Sequence, residues 1–290
     1  MHVQPRIKVA ILDTGIDIGH PSIKARIERI KDVRTWVNDL GGKQDRKTGD
    51  SSGHGTHIAD LLLDVAPDSD IYIARIAKFS PTEPVQIAKA IDHAVAEWQV
   101  DIISMSFGFP DENDELSKAI LNAHAHNILM FAAASNDGAH GLLPAFPARH
   151  HSVFCIYASD GMGNSIRGNP TARQHNYNFS TLGEAVNSAW PCNLSEKPWK
   201  VRKSGTSFST PIAAGLAAVV LFYAQTIMPP EDSLKFKQYD KMRNMFHHMS
   251  VLRAGYNFLL PMSNYFDGKQ KEEVIRAVMK GIASGSPVKA

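Results

Sequence analysis

The sequence predicts a doubly wound α/β fold, in which helices cover both faces of a mostly parallel sheet. Short β-branched runs that are apolar on both faces recur along the chain, as strands buried in a parallel sheet require. Amphipathic helical patterns lie between these runs, and strand–helix alternation is typical of this fold class. The length of 290 residues is enough for one large domain with a substantial core.

Five apolar runs are predicted as strands, at residues 7–12, 71–76, 101–106, 129–133 and 153–157. Apolar residues at helical spacing predict three helices between them, at residues 54–64, 85–98 and 116–127. The carboxyl ends of parallel strands share one edge of a sheet, and sites form there. Asp13 follows the first strand and Asn136 follows the fourth. We therefore expect a functional site at this edge.

The remaining segments are predicted from polarity and proline. Two polar, glycine-containing segments are predicted as exposed loops, at residues 31–52 and 161–178. Pro229 and Pro230 end a long apolar helix pattern. Beyond them the sequence predicts amphipathic helices over 231–250 and 272–282 and a frayed tail over 283–290. We therefore expect a single domain over residues 1–290, with 229–290 as a helical C-terminal extension.

Composition limits the partners that the chain can have. It carries 31 Lys and Arg against 29 Asp and Glu, and this balance without a basic run predicts no nucleic-acid partner. The longest apolar run, 212–224, is shorter than the ~20 residues of a membrane span, so no membrane partner is expected. Residues 1–6 are polar and carry no signal-peptide pattern, so we expect an intracellular, cytoplasmic protein.

The chain has two cysteines, Cys155 and Cys192, which excludes a scaffold built on disulfides. Cys155 lies in an apolar run, which predicts a buried and unreactive thiol. A disulfide between Cys155 and Cys192 stays open at the level of the sequence.

Three distant motifs place a polar group among small residues: Asp13-Thr14-Gly15, His54-Gly55-Thr56-His57 and the heptapeptide GTSFSTP at 205–211. A serine hydroxyl needs an adjacent base to act as a nucleophile, and an imidazole base needs a carboxylate to fix its tautomer. The chain order Asp, His, Ser is one of several orders in which this triad occurs. We predict a serine hydrolase with Asp13 as orienter, His54 as general base and acid, and Ser207 as nucleophile.

Ser207 lies where a loop turns into an apolar helix. Pro211 supports a helix start here, and a helix N-terminus offers free N–H groups that could bind an oxyanion. Composition alone leaves Ser204 and Ser209 open as nucleophiles, and a serine at this position could also serve only as a helix cap.

His57 and Asp17 are the alternatives to His54 and Asp13. The spacing of His54 and His57 could suit a metal, but the chain has neither H-E-x-x-H nor a cluster of thiolates. We expect no metal and no cofactor, with His57 packed in the core and Asp17 exposed or capping a turn.

Together these motifs resemble those of the subtilisin-like serine peptidases, over residues 7–225. The resemblance implies a subtilisin-like fold and a serine endopeptidase that forms an acyl-enzyme. It favours Ser207 over its neighbouring serines as the nucleophile, and it favours His54 over His57 as the catalytic histidine. A fourth motif, at 132–138, places Asn136 where the family keeps its oxyanion asparagine. The alternative is an ordinary turn asparagine.

The resemblance also implies how a peptide or protein substrate binds, as an extended strand added to an edge. The substrate-binding residues that it implies are Ser104, Met105, Ser106, Phe107 and Gly108 on one side and Ala133, Ala134 and Ser135 on the other. The alternative is that both segments are sheet core.

Four departures from the family pattern bear on function. Phe109 and Ser135 stand where glycines are usual, and Asp137 would favour a basic side chain in the substrate. The segment 64–67 leaves no room for a calcium loop, so we expect no calcium there. No prodomain is visible, so we expect either that the chain is excised from a larger protein or that it folds without this help. Similar domains occur within large receptor-like fungal proteins.

Two other functions compete with the endopeptidase. A catalytically silent interaction module would not need Asp13, His54, Asn136 and Ser207 together. An esterase of the α/β-hydrolase class would show G-x-S-x-G, which is absent around Ser207, and a different triad order.

Overall fold

The structure, a computed structural model, describes residues 4–37, 42–44, 49–81, 83–136, 138, 143–174, 176–261 and 271–285. Its strands are β1 (Lys8–Asp13), β2 (Ile30–Thr35), β3 (Lys43–Gln44), β4 (Asp70–Arg75), β5 (Ile102–Met105), β6 (Leu129–Ala133), β7 (Phe154–Ser159), β8 (Phe179–Leu182), β9 (Val186–Ala189), β10 (Lys200–Lys203), β11 (Ser250–Arg253) and β12 (Tyr256–Leu259). Its helices are α1 (Pro21–Lys24), α2 (His54–Val65), α3 (Pro84–His93), α4 (Asp114–Ala125), α5 (Thr206–Ile227), α6 (Pro230–Ser233), α7 (Tyr239–His248) and α8 (Lys271–Ser284).

A ten-stranded sheet forms the centre of the fold, in the order β11-β12-β8-β7-β6-β5-β1-β4-β2-β3. The pairs from β12 to β2 are all parallel, whereas the outermost strands β3 and β11 pair antiparallel with their neighbours. The five predicted strands are confirmed as β1, β4, β5, β6 and β7. A separate antiparallel ribbon, β9–β10, precedes α5.

Helices cover both faces of the sheet, which confirms the predicted doubly wound α/β class. Val9 and Ile11 of β1 point into a core shared with α2, α5, α7 and α8, whereas Ala10 and Leu12 point into a core shared with α3 and α4. Alternate residues of one strand therefore serve two cores, which explains the continuous apolar runs.

Helix α5 is long and apolar enough to cross a membrane by length and composition, but most of it is buried in the protein. It packs against α2 and against the strands from β5 to β8. Its apolar character is therefore explained by the core of the fold.

The loop predicted over 31–52 is partly wrong, because β2 lies within it and pairs with β4. Ile30, Val33 and Thr35 of this strand are buried, and the half-buried Asp32 and Arg34 are paired within the fold. Arg34 Nε donates to Asp32 at 2.7 Å, and Trp98 Nε1 donates to the same carboxylate at 3.0 Å. The predicted loop over 161–178 contains no helix or strand in its described residues.

The C-terminal segment is not helical throughout. The helix predicted over 231–250 is divided into α6, a 3₁₀ turn at Leu234–Lys237 and α7. Strands β11 and β12 then form a hairpin, and β12 pairs with β8. Ala254 and Gly255 turn this hairpin with φ of 47° and 89°, the conformation of a type I′ turn. The segment thus extends the central sheet.

The two cysteines are not paired with each other. Burial raises the pKa of the Cys155 thiol to about 12, so it stays protonated and poorly reactive near neutral pH. This agrees with the unreactive thiol that the sequence predicts.

Candidate active site

The predicted site residues meet at the carboxyl edge of the sheet. Asp13 is the last residue of β1, and Asn136 follows the end of β6. His54 is the first residue of α2, and Ser207 is the second residue of α5. Four different elements therefore supply one polar group each to the same region.

Asp13 and His54 form a direct hydrogen bond. His54 Nδ1 lies 2.7 Å from Asp13 Oδ1, and the side chains are 25% and 3% exposed respectively. The backbone N–H of Thr14 also donates to Asp13 Oδ1, at 2.8 Å. Because a carboxylate can only accept, the proton lies on Nδ1 and Nε2 is left free to act as a base.

The environment of His54 favours its charged form. Burial opposes protonation, but the charge and hydrogen bond of Asp13, together with the charge of Asp50, outweigh it and raise the pKa of His54. An imidazolium formed at His54 during a reaction would be stabilised in the same way.

Ser207 precedes Phe208, whose ring centroid lies 5.4 Å from that of His54. Its Oγ donates to the carbonyl of Ser106 at 3.3 Å, and among the described residues it has no hydrogen bond to His54. A rotation about χ1 would redirect the hydroxyl, and hydrogen bonds of this kind are often formed only when substrate is bound. The N–H of Ser207 is in the first turn of α5, where no intrahelical acceptor exists.

The two rival serines are held in structural roles. Ser209 is fully buried, and its Oγ donates to the carbonyls of Thr181 and Leu182 at 3.3 Å. Ser204 Oγ accepts a hydrogen bond from the N–H of Ala185 at 2.9 Å.

Asp17 caps a turn, as predicted, and does not approach His54. Its Oδ1 accepts from the N–H of Gly19 at 2.9 Å and its Oδ2 from the N–H of Cys192 at 3.2 Å.

Asn136 is oriented by the start of α5. Its Oδ1 accepts from the N–H of Thr206 at 2.9 Å and from Thr206 Oγ1 at 3.3 Å. Since a backbone N–H must meet the oxygen of the amide, the Nδ2 group of Asn136 is left to donate elsewhere. Gly205 permits this approach: it has a φ of 138°, and a Cβ there would lie 2.9 Å from Asn136 Oδ1.

A cavity of about 850 Å³ opens beside Ser207 and Asn136. Its walls include Phe107, Gly108, Ala133 and Ser135 of the predicted substrate-binding residues, with Phe109, Leu143, Ala145 and Arg149. A second cavity of about 230 Å³ contacts Asp13, His54 and Ser106. It also contains Phe79, an exposed aromatic residue that the sequence interpretation missed.

Three predicted substrate-binding residues do not line either cavity. Ser104, Met105 and Ala134 are fully buried in the sheet. The reason is that β5 and the end of β6 are covered on both faces, so only the residues beyond the strand ends reach the cleft. The side chains of these three residues therefore lie in the core, and a part for them in substrate binding stays a prediction.

The comparisons with known proteins identify the family of the chain. The sequence model described as the subtilase family matches residues 4–254 of the chain. The chain belongs to the subtilase family. It is therefore a subtilisin-like serine endopeptidase, and peptides or proteins are its substrates.

Relatives of this subtilase include the "Subtilisin-like protease het-Q2" of Podospora anserina, 29% identical, with 76% of this chain and 70% of that protein covered. The "Major intracellular serine protease" of Bacillus subtilis (strain 168) is 30% identical, with 76% and 69% covered. Among solved structures, the protease domain of PatA superposes with a TM-score of 0.70 at 24% identity, over 96% of this chain and 95% of that one.

Two departures from the family pattern, Phe109 and Ser135, line the large cavity. Ser135 adopts φ of 130°, a region that favours glycine, so its backbone is strained. Phe109 exchanges backbone hydrogen bonds of 2.7 and 2.9 Å with Phe146, and it lines the large cavity. Asp137, which was predicted to favour a basic substrate side chain, lies outside the described residues.

Four residues join α2, which ends at Val65, to β4, which begins at Asp70, in the segment where the sequence predicts no calcium. Within the described part of the chain, no group of three or more His, Cys, Asp and Glu side chains could hold a metal ion. His57 is fully buried, and its Nε2 lies 3.2 Å from the carbonyls of Val186 and Val201. Burial lowers the pKa of His57 to about 4, so it is a neutral core residue, as predicted.

The sequence interpretation missed Asp50, a buried carboxylate that accepts hydrogen bonds from residues next to both Asp13 and His54. Its Oδ1 accepts from Thr14 Oγ1 and the N–H of Gly53, both at 2.8 Å. Its Oδ2 accepts from the N–H and the hydroxyl of Thr56, both at 2.8 Å. The N–H of Ser52 donates to Oδ1 at 3.1 Å. Asp50 thus joins the end of β1 to the start of α2; its position four residues before His54 was the available signal.

Proposed function

We propose that this subtilase cleaves peptide bonds with Ser207 as nucleophile, His54 as general base and acid, and Asp13 as the residue that orients His54. The observation that carries the proposal is the 2.7 Å contact between His54 Nδ1 and Asp13 Oδ1 at an open cleft beside Ser207. This contact leaves Nε2 as the only basic nitrogen of the imidazole.

In the first step, Ser207 turns from the Ser106 carbonyl towards His54. Nε2 takes the hydroxyl proton while Oγ forms a bond to the carbonyl carbon of the substrate. The electron pair of the C=O bond moves to its oxygen. When the tetrahedral intermediate collapses, the C–N bond breaks, His54 returns the proton to the departing amine, and an acyl-enzyme remains. In the second half of the reaction, His54 takes a proton from water while the water oxygen attacks the carbonyl carbon of the acyl-enzyme. His54 then returns the proton to Ser207 Oγ, and the carboxylic acid is released.

Two donors support the developing oxyanion in this proposal. One is the free N–H of Ser207 in the first turn of α5, and the other is the Nδ2 group of Asn136. One such donor is typically worth about 2.7–4 kcal/mol in the transition state. The hydrogen bonds from Thr206 to Asn136 fix the side chain in advance, so little reorganisation accompanies the reaction.

The substrate is proposed to bind as an extended strand. The backbone beyond β5, from Ser106 to Gly108, provides one edge, and the backbone from Ala133 to Ser135 provides the other. The side chain before the cleaved bond would enter the cavity of about 850 Å³. The name of the Bacillus subtilis relative supports a site of action inside the cell.

The test is labelling with a fluorophosphonate probe, which reacts with an activated serine. We expect labelling of the parent protein and none of Ser207→Ala. Ser204→Ala is the matched control, since Ser204 lies three residues away and should not affect labelling. A folded parent that is not labelled, or labelling that survives Ser207→Ala, would contradict the proposal and favour the catalytically silent module.

A further inference from the structure

The β9–β10 hairpin carries unneutralised positive charge. Lys197, Lys200, Arg202 and Lys203 are all exposed, and none of them forms an ion pair with another described residue. Lys203 Nζ lies 4.7 Å above the ring of Trp190. An indole face holds a cation in place but does not cancel its charge.

This charge lies next to His54. The ring of Trp190 packs against Gly53, where a Cβ would come within 2.4 Å of the indole. Lys203, resting on that ring, is close enough for its charge to oppose protonation of His54 and so lower its pKa. Along the chain, Lys203 is also only four residues before Ser207.

The position of the hairpin assigns it to one side of the cleft. Trp190 and Lys203 line neither of the two cavities that adjoin the Ser106–Gly108 edge. That edge would bind the residues before the cleaved bond. The departing amine must lie next to His54, because His54 gives it a proton. The hairpin therefore flanks the path of the residues that follow the cleaved bond.

We propose that the β9–β10 hairpin binds acidic residues of the substrate on the C-terminal side of the cleaved bond. This inference rests on the proposed function. Side chains alternate along a strand, so Lys203 lies on one face of β10 with Trp190, and Lys200 and Arg202 lie on the other face. Lys203 is therefore the cation placed to contact an acidic substrate residue near His54, and the long side chains of Lys200 and Arg202 add to the positive potential of the hairpin. The exposed setting makes the attraction dependent on salt.

The experiment compares three internally quenched peptides that share a readily cleaved sequence before the bond. They differ only in the three residues after it, which are Glu, Gln or Lys. Because the attraction between exposed charges is modest, we expect kcat/KM about five- to tenfold higher for Glu than for Gln in low salt. The ratio should fall towards one at about 1 M salt, where screening is strong.

The variant is Lys200→Gln/Arg202→Gln/Lys203→Gln, which should bring the Glu-to-Gln ratio close to one. The matched control is Lys24→Gln/Lys89→Gln/Lys280→Gln, which removes the same charge from exposed positions on α1, α3 and α8. The control should keep the ratio of the parent. Melting temperatures of both variants show that each is folded.

The outcomes separate the two proposals. If the parent is labelled at Ser207 and cleaves the Gln peptide as fast as the Glu peptide, the hairpin proposal is overturned and the endopeptidase mechanism stands. A ratio that the hairpin variant leaves unchanged also overturns it. Binding of an oligonucleotide or of phosphatidylserine vesicles through the hairpin, without a Glu preference, would assign the charge to another polyanion. A parent that neither labels nor cleaves overturns both proposals.

Discussion

Asp50→Asn tests whether the network behind the site sets both stability and activity. The substitution keeps the shape of the side chain but replaces one acceptor oxygen with an NH₂ group. If Oδ1 stays with Thr14 and Gly53, the new NH₂ group faces the backbone N–H of Thr56, where two donors meet. The hydroxyl of Thr56 could turn to accept, but the N–H cannot.

The magnitude follows from the contacts that are lost. The loss of at least one hydrogen bond to a buried charged group costs about 1.5–3 kcal/mol. The N–H that is left unsatisfied costs about 1–3 kcal/mol more. We expect destabilisation of about 3 kcal/mol, which lowers the melting temperature by roughly 6–12 °C for a domain of this size. The start of α2 would shift as well, and small misplacements of catalytic groups cost up to about a hundredfold in rate.

The assay combines thermal unfolding with the pH profile of kcat/KM. The Asp50 charge helps to raise the pKa of His54, so removing it should lower that pKa and move the acid limb to lower pH. Asp64→Asn is the control, because Asp64 lies near the other end of α2 with its side chain 55% exposed. Unchanged melting and an unchanged acid limb in Asp50→Asn would refute the reasoning.

Further predictions concern single groups. Lys203→Gln removes a cation that opposes protonation of His54, so the pKa of His54 should rise and the acid limb of kcat/KM should move to higher pH; a shift to lower pH would contradict this. Gly205→Ala brings a Cβ to 2.9 Å from Asn136 Oδ1 at a φ of 138° and should lower kcat about a hundredfold, measured by steady-state kinetics; an unchanged kcat would argue against an oxyanion role. Ser135→Gly relieves strain at φ of 130° and should raise stability by about 1 kcal/mol in thermal unfolding. A chelator should leave the melting temperature unchanged, and a decrease would reveal a bound metal.

The parallel part of the sheet could be predicted because buried strands leave a plain signal. Strands β1 and β6 are apolar on both faces, so they can be identified from their own sequence without knowing which strands pair with them. Strand β2 was not predicted, because Asp32 and Arg34 are typical of loops when their pairing partners are unknown. The β11–β12 hairpin escaped because four-residue strands are short, although Gly255 marked its turn.

The site residues also divide into those that could be predicted from the sequence and those that could not. Asp13, His54 and Ser207 lie in local motifs, so they can be identified from the sequence alone. Asp50 and Trp190 act only through residues that tertiary folding brings to them, such as Thr14 and Gly53. No sequence pattern distinguishes Trp190, and the available signal for Asp50 is its position four residues before His54.

The placement of the nucleophile on α5 makes reactivity a measure of folding. The helix has 22 residues and so spans about 33 Å, and Arg276 of α8 donates to the carbonyl of Ile227 at its far end. Because the helix is enclosed by the sheet and by α2, its first turn cannot hold Ser207 correctly in a partly folded chain. A covalent active-site titration would then count native molecules in a preparation, and damage at the distant C-terminal helix would be recorded at the serine.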